Sequence, residues 1–187
     1  MAMTASTQIT IGSEASCSDG ACGEVSRVVV DPIAKAVTHL VVEPTHRRGL
    51  GRLVPLDLVD VVGGEVEIRC TQAEFDQLDS AEETDLGIGS VSEPVTSDTL
   101  PLGEVAVRRD ERVHATDGEI GKVQGLVINP RNQHVTHILL QEGHLLGRKE
   151  VAIPISAVVS IKDGIRLNIA KENVENLEPV ALDHPNA

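Results

Sequence analysis

The sequence predicts an all-β protein in which one small unit is used twice. Three observations carry that expectation: a self-match at a fixed offset, short β-branched runs bounded by turn residues, and a nearly aromatic-free composition. Asp19-Gly20-x-x-Gly23-x-Val25 returns 98 residues later as Asp117-Gly118-x-x-Gly121-x-Val123. Pro32 returns as Pro130, Val37-Thr38-His39 as Val135-Thr136-His137, and His46 and Gly49 as His144 and Gly147. Eleven of the 34 positions from Asp19 to Arg52 are identical at this offset. After one inserted residue the match resumes at 99, with Pro55/Pro154, Val59/Val158 and Leu78/Leu177. A fixed period of this kind is one structural unit repeated.

The elements follow in order. Val25 to Val30 and Val37 to Val42 are β-branched-rich and flank Asp31-Pro32, which predicts a hairpin. Val123 to Ile128 and Val135 to Leu140 flank Asn129-Pro130 in the same way. A loop carrying His and Arg comes next in each half. Apolar strands Leu53 to Val62 and Val66 to Ile68 then surround Gly63-Gly64, and Val151 to Ile161 and Ile165 to Ile169 surround Asp163-Gly164. Both pairs suit tight hairpins. Thr71-Gln72-Ala73-Glu74 has capping-box form, and Phe75 and Leu78 are spaced to dock a short helix, with Val174 and Leu177 in the matching places. Residues 80–102 hold Ser, Thr, Asp, Gly and two prolines and read as a flexible acidic linker between units 8–79 and 103–182. The tail from Asp183 to Ala187 is expected to fray.

This pattern resembles the PRC-barrel family: DG-x-x-G-x-V, strand, D/N-P, strand ending V-T-H, loop, V-P or I-P, then a glycine-led strand. The family includes the cytoplasmic domain of the photosynthetic reaction-centre H subunit and the C-terminal domain of a ribosome maturation factor. The chain is similar to the tandem PRC-barrel proteins of actinobacteria. The resemblance implies two tandem small PRC-type β-barrels, each followed by a short α-helix, and a role in protein binding rather than shared catalysis. Because these residues show neither the membrane helix of one named relative nor the N-terminal domain of the other, neither relative's specific role is expected to transfer.

Composition bounds function. The net charge of −13 divides as −6 over residues 1–79, −5 over 80–102 and −2 over 103–187. Such a surface repels phosphate backbones and anionic membranes, and attracts a basic protein partner. With one aromatic residue, Phe75, there is no stacking platform for single-stranded nucleic acid. No apolar run approaches a membrane span, and Met1 to Ile11 lacks signal-peptide form, so no membrane insertion and a cytoplasmic location are expected.

Three groups are candidate sites. The loops Thr45–Arg52 and Gly143–Lys149 are basic, glycine-containing segments on an acidic protein, and His46, Arg47, Arg48, Arg52, His144, Arg148 and Lys149 are the expected partner contacts. Solvated loop residues are the plainer alternative. His39 and His137 lie on a strand face, where a hydrogen-bonded structural histidine is expected, alongside Gly20, Gly23, Pro32, Gly118, Gly121 and Pro130 as structural positions. A metal reading would pair His39 with His46 and His137 with His144. It lacks a carboxylate kept in both loops, since Glu43 becomes Gln141, and no metal or other cofactor is expected. Cys17 and Cys22 flank Ser18-Asp19-Gly20-Ala21; a turn at Asp19-Gly20 would set them opposite each other, within reach of a disulfide. Yet Ala115, Ile120 and Ile169 replace Cys17, Cys22 and Cys70 in the second half, which suits thiols acting as small hydrophobes.

The expectation is a non-enzymatic, cytoplasmic protein-binding adaptor or assembly module, its units packed as an internal pseudo-dimer or paired by homodimerisation. The alternative is a small-ligand or metal-responsive module, or a redox sensor using Cys17 and Cys22. No nucleophile-base arrangement is kept in both halves, so no catalytic residue is expected.

Overall fold

In this computed structural model the chain is described over residues 6–45, 50–62, 64–85, 95–142, 150–162 and 164–177. It is all-β and repeats one strand order. Unit 1 contains β2 (Glu14–Cys17), β3 (Gly20–Asp31), β4 (Ala36–Glu43), β5 (Arg52–Pro55), β6 (Val59–Val62) and β7 (Glu65–Ile68), followed by α1 (Gln72–Phe75). Unit 2 contains β11 (Arg112–Ala115), β12 (Gly118–Ile128), β13 (Val135–Glu142), β14 (Glu150–Pro154), β15 (Val158–Ser160) and β16 (Ile165–Leu167), followed by α2 (Lys171–Glu175). The two curled sheets run β5-β4-β3-β2-β7-β6 and β14-β13-β12-β11-β16-β15. The β2/β7 and β11/β16 pairs are parallel, and the other neighbours are antiparallel.

The expected single strands Leu53 to Val62 and Val151 to Ile161 are each broken by a 3-10 turn, at Leu56–Leu58 and Ile155–Ala157. The break follows Pro55 and Pro154, whose rings fix φ near the helical value (−57° and −62°) and remove a ladder donor. The first hairpin after them forms as its glycines predict, with Val62 opposite Glu65 and Gly64 at φ +88°, whereas in the second Ser160 pairs with Arg166 next to a register shift, a wider connection than the expected tight turn.

Each unit borrows the strand that leads into the other. β1 (Thr7–Thr10) lies antiparallel on β12 of unit 2, with Thr7 opposite Ile128 and Thr10 opposite Gly125. β10 (Val105–Arg108) lies antiparallel on β3 of unit 1, with Val105 opposite Val30 and Arg108 opposite Arg27. The switch between sheets is abrupt. Ile11 N–H donates to Gln124 O (3.0 Å) in unit 2, and Gly12 N–H donates to Val25 O (2.7 Å) in unit 1. The equivalent pivot is Asp110, whose N–H donates to Val123 O (3.0 Å). Both pivots are left-handed, Gly12 at φ +100° and Asp110 at φ +66°, the conformation that lets a strand turn sharply out of one sheet. Units 8–79 and 103–182 therefore each begin with a strand that completes the other unit.

The hairpin tips also meet. Val37 N–H donates to Gln133 O (3.0 Å) and Val135 N–H donates to Lys35 O (2.9 Å), two bonds related by the repeat. The interior is shared: Val25, Val28, Leu40 and Val54 of unit 1, Val123, Leu126, Ile138 and Ile153 of unit 2, and Ile9 and Ile11 belong to one continuous core. This is an internal pseudo-dimer in one chain.

Residues 80–102, expected as flexible, contain two paired strands, β8 (Glu82–Asp85) and β9 (Val95–Asp98). Ala81 is fully buried against Val29, Val41 and Leu53, the outer face of unit 1. A polar composition hid the one small apolar residue that docks.

Ile9 supplies the test of the exchange. Ile9→Ala should cost about 2–5 kcal/mol, the range for truncating a buried aliphatic. Hydrogen exchange should then rise first along Gly125–Ile128 of β12. Loss of protection confined to β2–β7 would contradict the strand assignment.

Candidate functional site

The repeated DG-x-x-G motif is structural in both units. The carboxylate of Asp19 accepts from Gln72 N–H (2.8 Å), and that of Asp117 from Lys171 N–H (2.9 Å), so each turn caps the helix of its own unit. Gly20 and Gly118 sit at φ +142° and +133°. A Cβ on Gly23 would lie 2.1 Å from Glu43 O, and one on Gly121 would lie 2.4 Å from Gln141 O. The neighbouring strand backbone leaves no room for a side chain. Pro32 and Pro130 follow Asp31 and Asn129, whose side chains accept from Ile33 N–H (2.8 Å) and Arg131 N–H (2.9 Å) to shape the hairpin tips. In α1, Thr71 and Glu74 form the full capping box.

His39 and His137 occupy equivalent places. Each Nδ1 lies 3.1 Å from the hydroxyl of the preceding threonine, Thr38 or Thr136. The Thr136 hydroxyl donates to Val127 O (3.1 Å), while that of Thr38 lies 3.4 Å from Val29 O. Burial pushes the His137 imidazole below its ordinary pKa. His39 has an added neighbour: Glu104 lies 3.7 Å from Nδ1 and accepts from the Thr38 hydroxyl (2.6 Å). Among the described residues no group of three or more His, Cys, Asp or Glu side chains is placed to hold a metal. His46 and His144, the other half of the metal reading, lie outside the described residues.

The cysteine register differs from the sequence expectation. The turn is Ser18-Asp19, so Cys17 pairs with Gly20 and Ser16 with Ala21. Cys22 is the extra residue of a β-bulge, and Cys17 and Cys22 are not directly opposite. Its thiol instead donates to Ala15 O (3.3 Å). Cys70, brought in by the segment after β7, makes the third member of a buried group in which all thiols are free. Burial pushes the Cys17 thiol up to about 12, with Cys22 beside it adding to the effect, and Cys70 up to about 11. Burial raises Cys22 as well.

Of the expected contact loops, His46, Arg47, Arg48, His144, Arg148 and Lys149 lie outside the described residues. Arg52 is described. It sits on β5 and donates through Nη1 to Leu78 O (3.1 Å), tying the segment after α1 to the sheet.

Two surfaces emerge that sequence reasoning missed. The first is a cleft of about 140 Å³ where the tip of the β3–β4 hairpin meets β15, lined by Pro32, Lys35, Val158, Ser160 and Lys162. Lys35 Nζ donates to Val158 O (3.1 Å) across it. Ile33 (92% exposed) and Val159 (66% exposed) are among the exposed large hydrophobics, Ile33 next to Pro32 and Val159 on the cleft wall. At the repeat-related place Asp60 stands for Val159 and Arg131 for Ile33.

The second surface is the outer face of β3–β5. Arg27 on β3 is 3% exposed, the one buried charged residue of the described core. It pairs with Glu82 of β8 and lies 3.8 Å from Glu43 of β4. Oε2 of Glu82 is buried and accepts no hydrogen bond among the described residues. The signal was available within the sequence: the repeat has Gly125 for Arg27 and Gln141 for Glu43.

The raised thiols set a chemical expectation. Because the thiolate is the reactive form, all three cysteines of the native chain should alkylate about 100-fold or more slowly than in denaturant at pH 7.5. A native thiol reacting at the free-cysteine rate would restore the redox reading.

No helix among the described residues is long and apolar enough to cross a membrane. No curated protein matches the chain. Residues 111–174 match the family model of the PRC-barrel domain, a span that opens just before β11 and closes within α2. The second unit is thus similar to the PRC-barrel domain over that span, and the first repeats its strand order.

Proposed function

We propose that this chain is a non-catalytic, cytoplasmic adaptor that binds a protein partner. The observation that carries the reading is the junction cleft, lined by Lys35, Lys162 and the exposed Val159, with the exposed Ile33 next in sequence to its Pro32. Exposed aliphatic side chains around a small concavity suit a protein surface. At about 140 Å³ the cleft is below the roughly 300–1,000 Å³ of small-molecule sites and fits one partner side chain. Two lysines on a chain of net charge −13 give the cleft a local sign opposite to its surroundings. A partner offering an apolar side chain flanked by carboxylate matches it. The place of this surface, at the meeting of two units fixed by exchanged strands, supports a platform role. Three free buried thiols are consistent with a reducing compartment.

The test compares native pull-downs from source-cell lysate for wild type, Ile33→Ser/Val159→Ser, and Arg47→Ala/Arg48→Ala. Both side chains of the first variant are exposed, so its melting temperature should stay within about 2 °C of wild type. A partner held by wild type and lost from that variant supports the cleft. A partner lost only from the second variant moves the contact to the His/Arg loop. Identical capture by all three contradicts the adaptor reading at both surfaces.

A further inference from the structure

The segment after α1 is seated on unit 1 in the manner of a bound peptide. It runs along the edge of β5 not taken by β4: Leu53 N–H donates to Asp79 O (2.8 Å), Arg52 is bridged to Ser80, and Ala81 N–H donates to Gly51 O (2.8 Å). Ala81 enters an apolar recess formed by Val29, Val41 and Leu53. The next residue, Glu82, meets the buried Arg27. Main-chain pairing at a sheet edge, a side-chain pocket and a charged anchor are the three parts of recognition by strand addition.

The groove is built for this occupant rather than required by the fold. Gly51 opens it: a Cβ there would lie 2.6 Å from Val41 Cγ1 and 3.6 Å from Ala81 Cβ. By strand register Gly51 corresponds to Glu150, and at the repeat-related positions Arg27 is Gly125 and Glu43 is Gln141. Unit 2 keeps the strand order without any of these groups. A buried ion pair is weak as a device for stability, because desolvation offsets most of the attraction. Among the described residues Oε2 of Glu82 accepts no hydrogen bond, so this pair is held below the best it could make.

We propose that the Asp79–Glu82 segment is a displaceable strap occupying a peptide-binding groove of unit 1. The external occupant is an extended protein segment with a small apolar residue followed by a carboxylate, which pairs with β5, fills the Val29/Val41/Leu53 recess and reaches Arg27. The groove is separate from the junction cleft, so the proposal stands or falls independently of that surface. The strap holds the groove closed until such a segment competes for it.

The experiment uses the full chain and a labelled peptide of the sequence Leu78–Glu83 as probe. Glu82→Ala should release the strap, seen as about ten-fold or faster exchange of the Leu53, Ala81 and Thr99 amides, while the amides of β12–β13 keep their protection. That variant should then bind the peptide about ten-fold or more tightly than wild type does. The same peptide with Gln in place of Glu82 should bind about ten-fold more weakly, a readout that needs no Arg27 variant to fold. The proposal is overturned if Glu82→Ala leaves those amides as protected as in wild type. It is equally overturned if the strap opens and no peptide binds, or if both peptides bind alike. A concentration-dependent wild-type dimer that the peptide dissolves would make a second copy the occupant and overturn the assignment to another protein.

Discussion

The reciprocal loan of one strand between the two units is the constraint on which the rest of the structure depends. A curled sheet of short strands leaves the long β3 and β12 half-covered on one edge. β2 and β11 pair only with their first residues, and the remainder is completed by β10 and β1. Those backbone groups would otherwise be open edges, the usual route to uncontrolled association. Each is covered instead by the strand that leads into the other unit. Ile9 and Ile11, fully buried, then tie the two interiors into one core. The left-handed pivots at Gly12 and Asp110 are the local geometry that permits it.

Near-symmetry of the scaffold throws the differences into relief. What both units keep explains itself: aspartates that cap helices, glycines where a neighbouring strand passes too close for a side chain, and histidines set against threonine hydroxyls. Besides the three cysteines and the capping box of α1, two outward-facing groups occur in one unit only. Arg27, Glu43 and Gly51 gather on the outer face of unit 1 under the strap, while Val159 stands on the wall of the junction cleft and Ile33 follows Pro32 of that wall. Neither place is needed to hold the strand order, since the repeat builds the same order without them. A buried guanidinium with two carboxylates near it is costly to desolvate, and its presence in one unit alone sets that face apart.

Much of this was legible in the sequence, for physical reasons. Strand positions follow from β-branched runs between turn residues, and the capping box of α1 from Thr71 and Glu74. The partner of a strand is another matter. No strand is expected from the sequence at Thr7–Thr10 or Val105–Arg108, and nothing local in them says which sheet they join, because that choice is made by the pivot behind them. The cysteine register was missed because a bulge adds a residue without altering the residue pattern. The strap was missed because Glu82 in an acidic stretch looks solvated, and only the fold reveals that Arg27 lies beneath it. The comparison of repeats held the clue, in an arginine facing a glycine at an offset of 98.

The most direct measurement of the central claim is to introduce a protease site within residues 86–94, cleave the folded chain there, and follow the two halves under native conditions. Exchanged strands predict that both halves elute together as one particle and unfold in a single cooperative transition, as the shared core requires. Halves that separate without denaturant, or that melt in two independent steps, would show that each unit is complete by itself and would contradict the account.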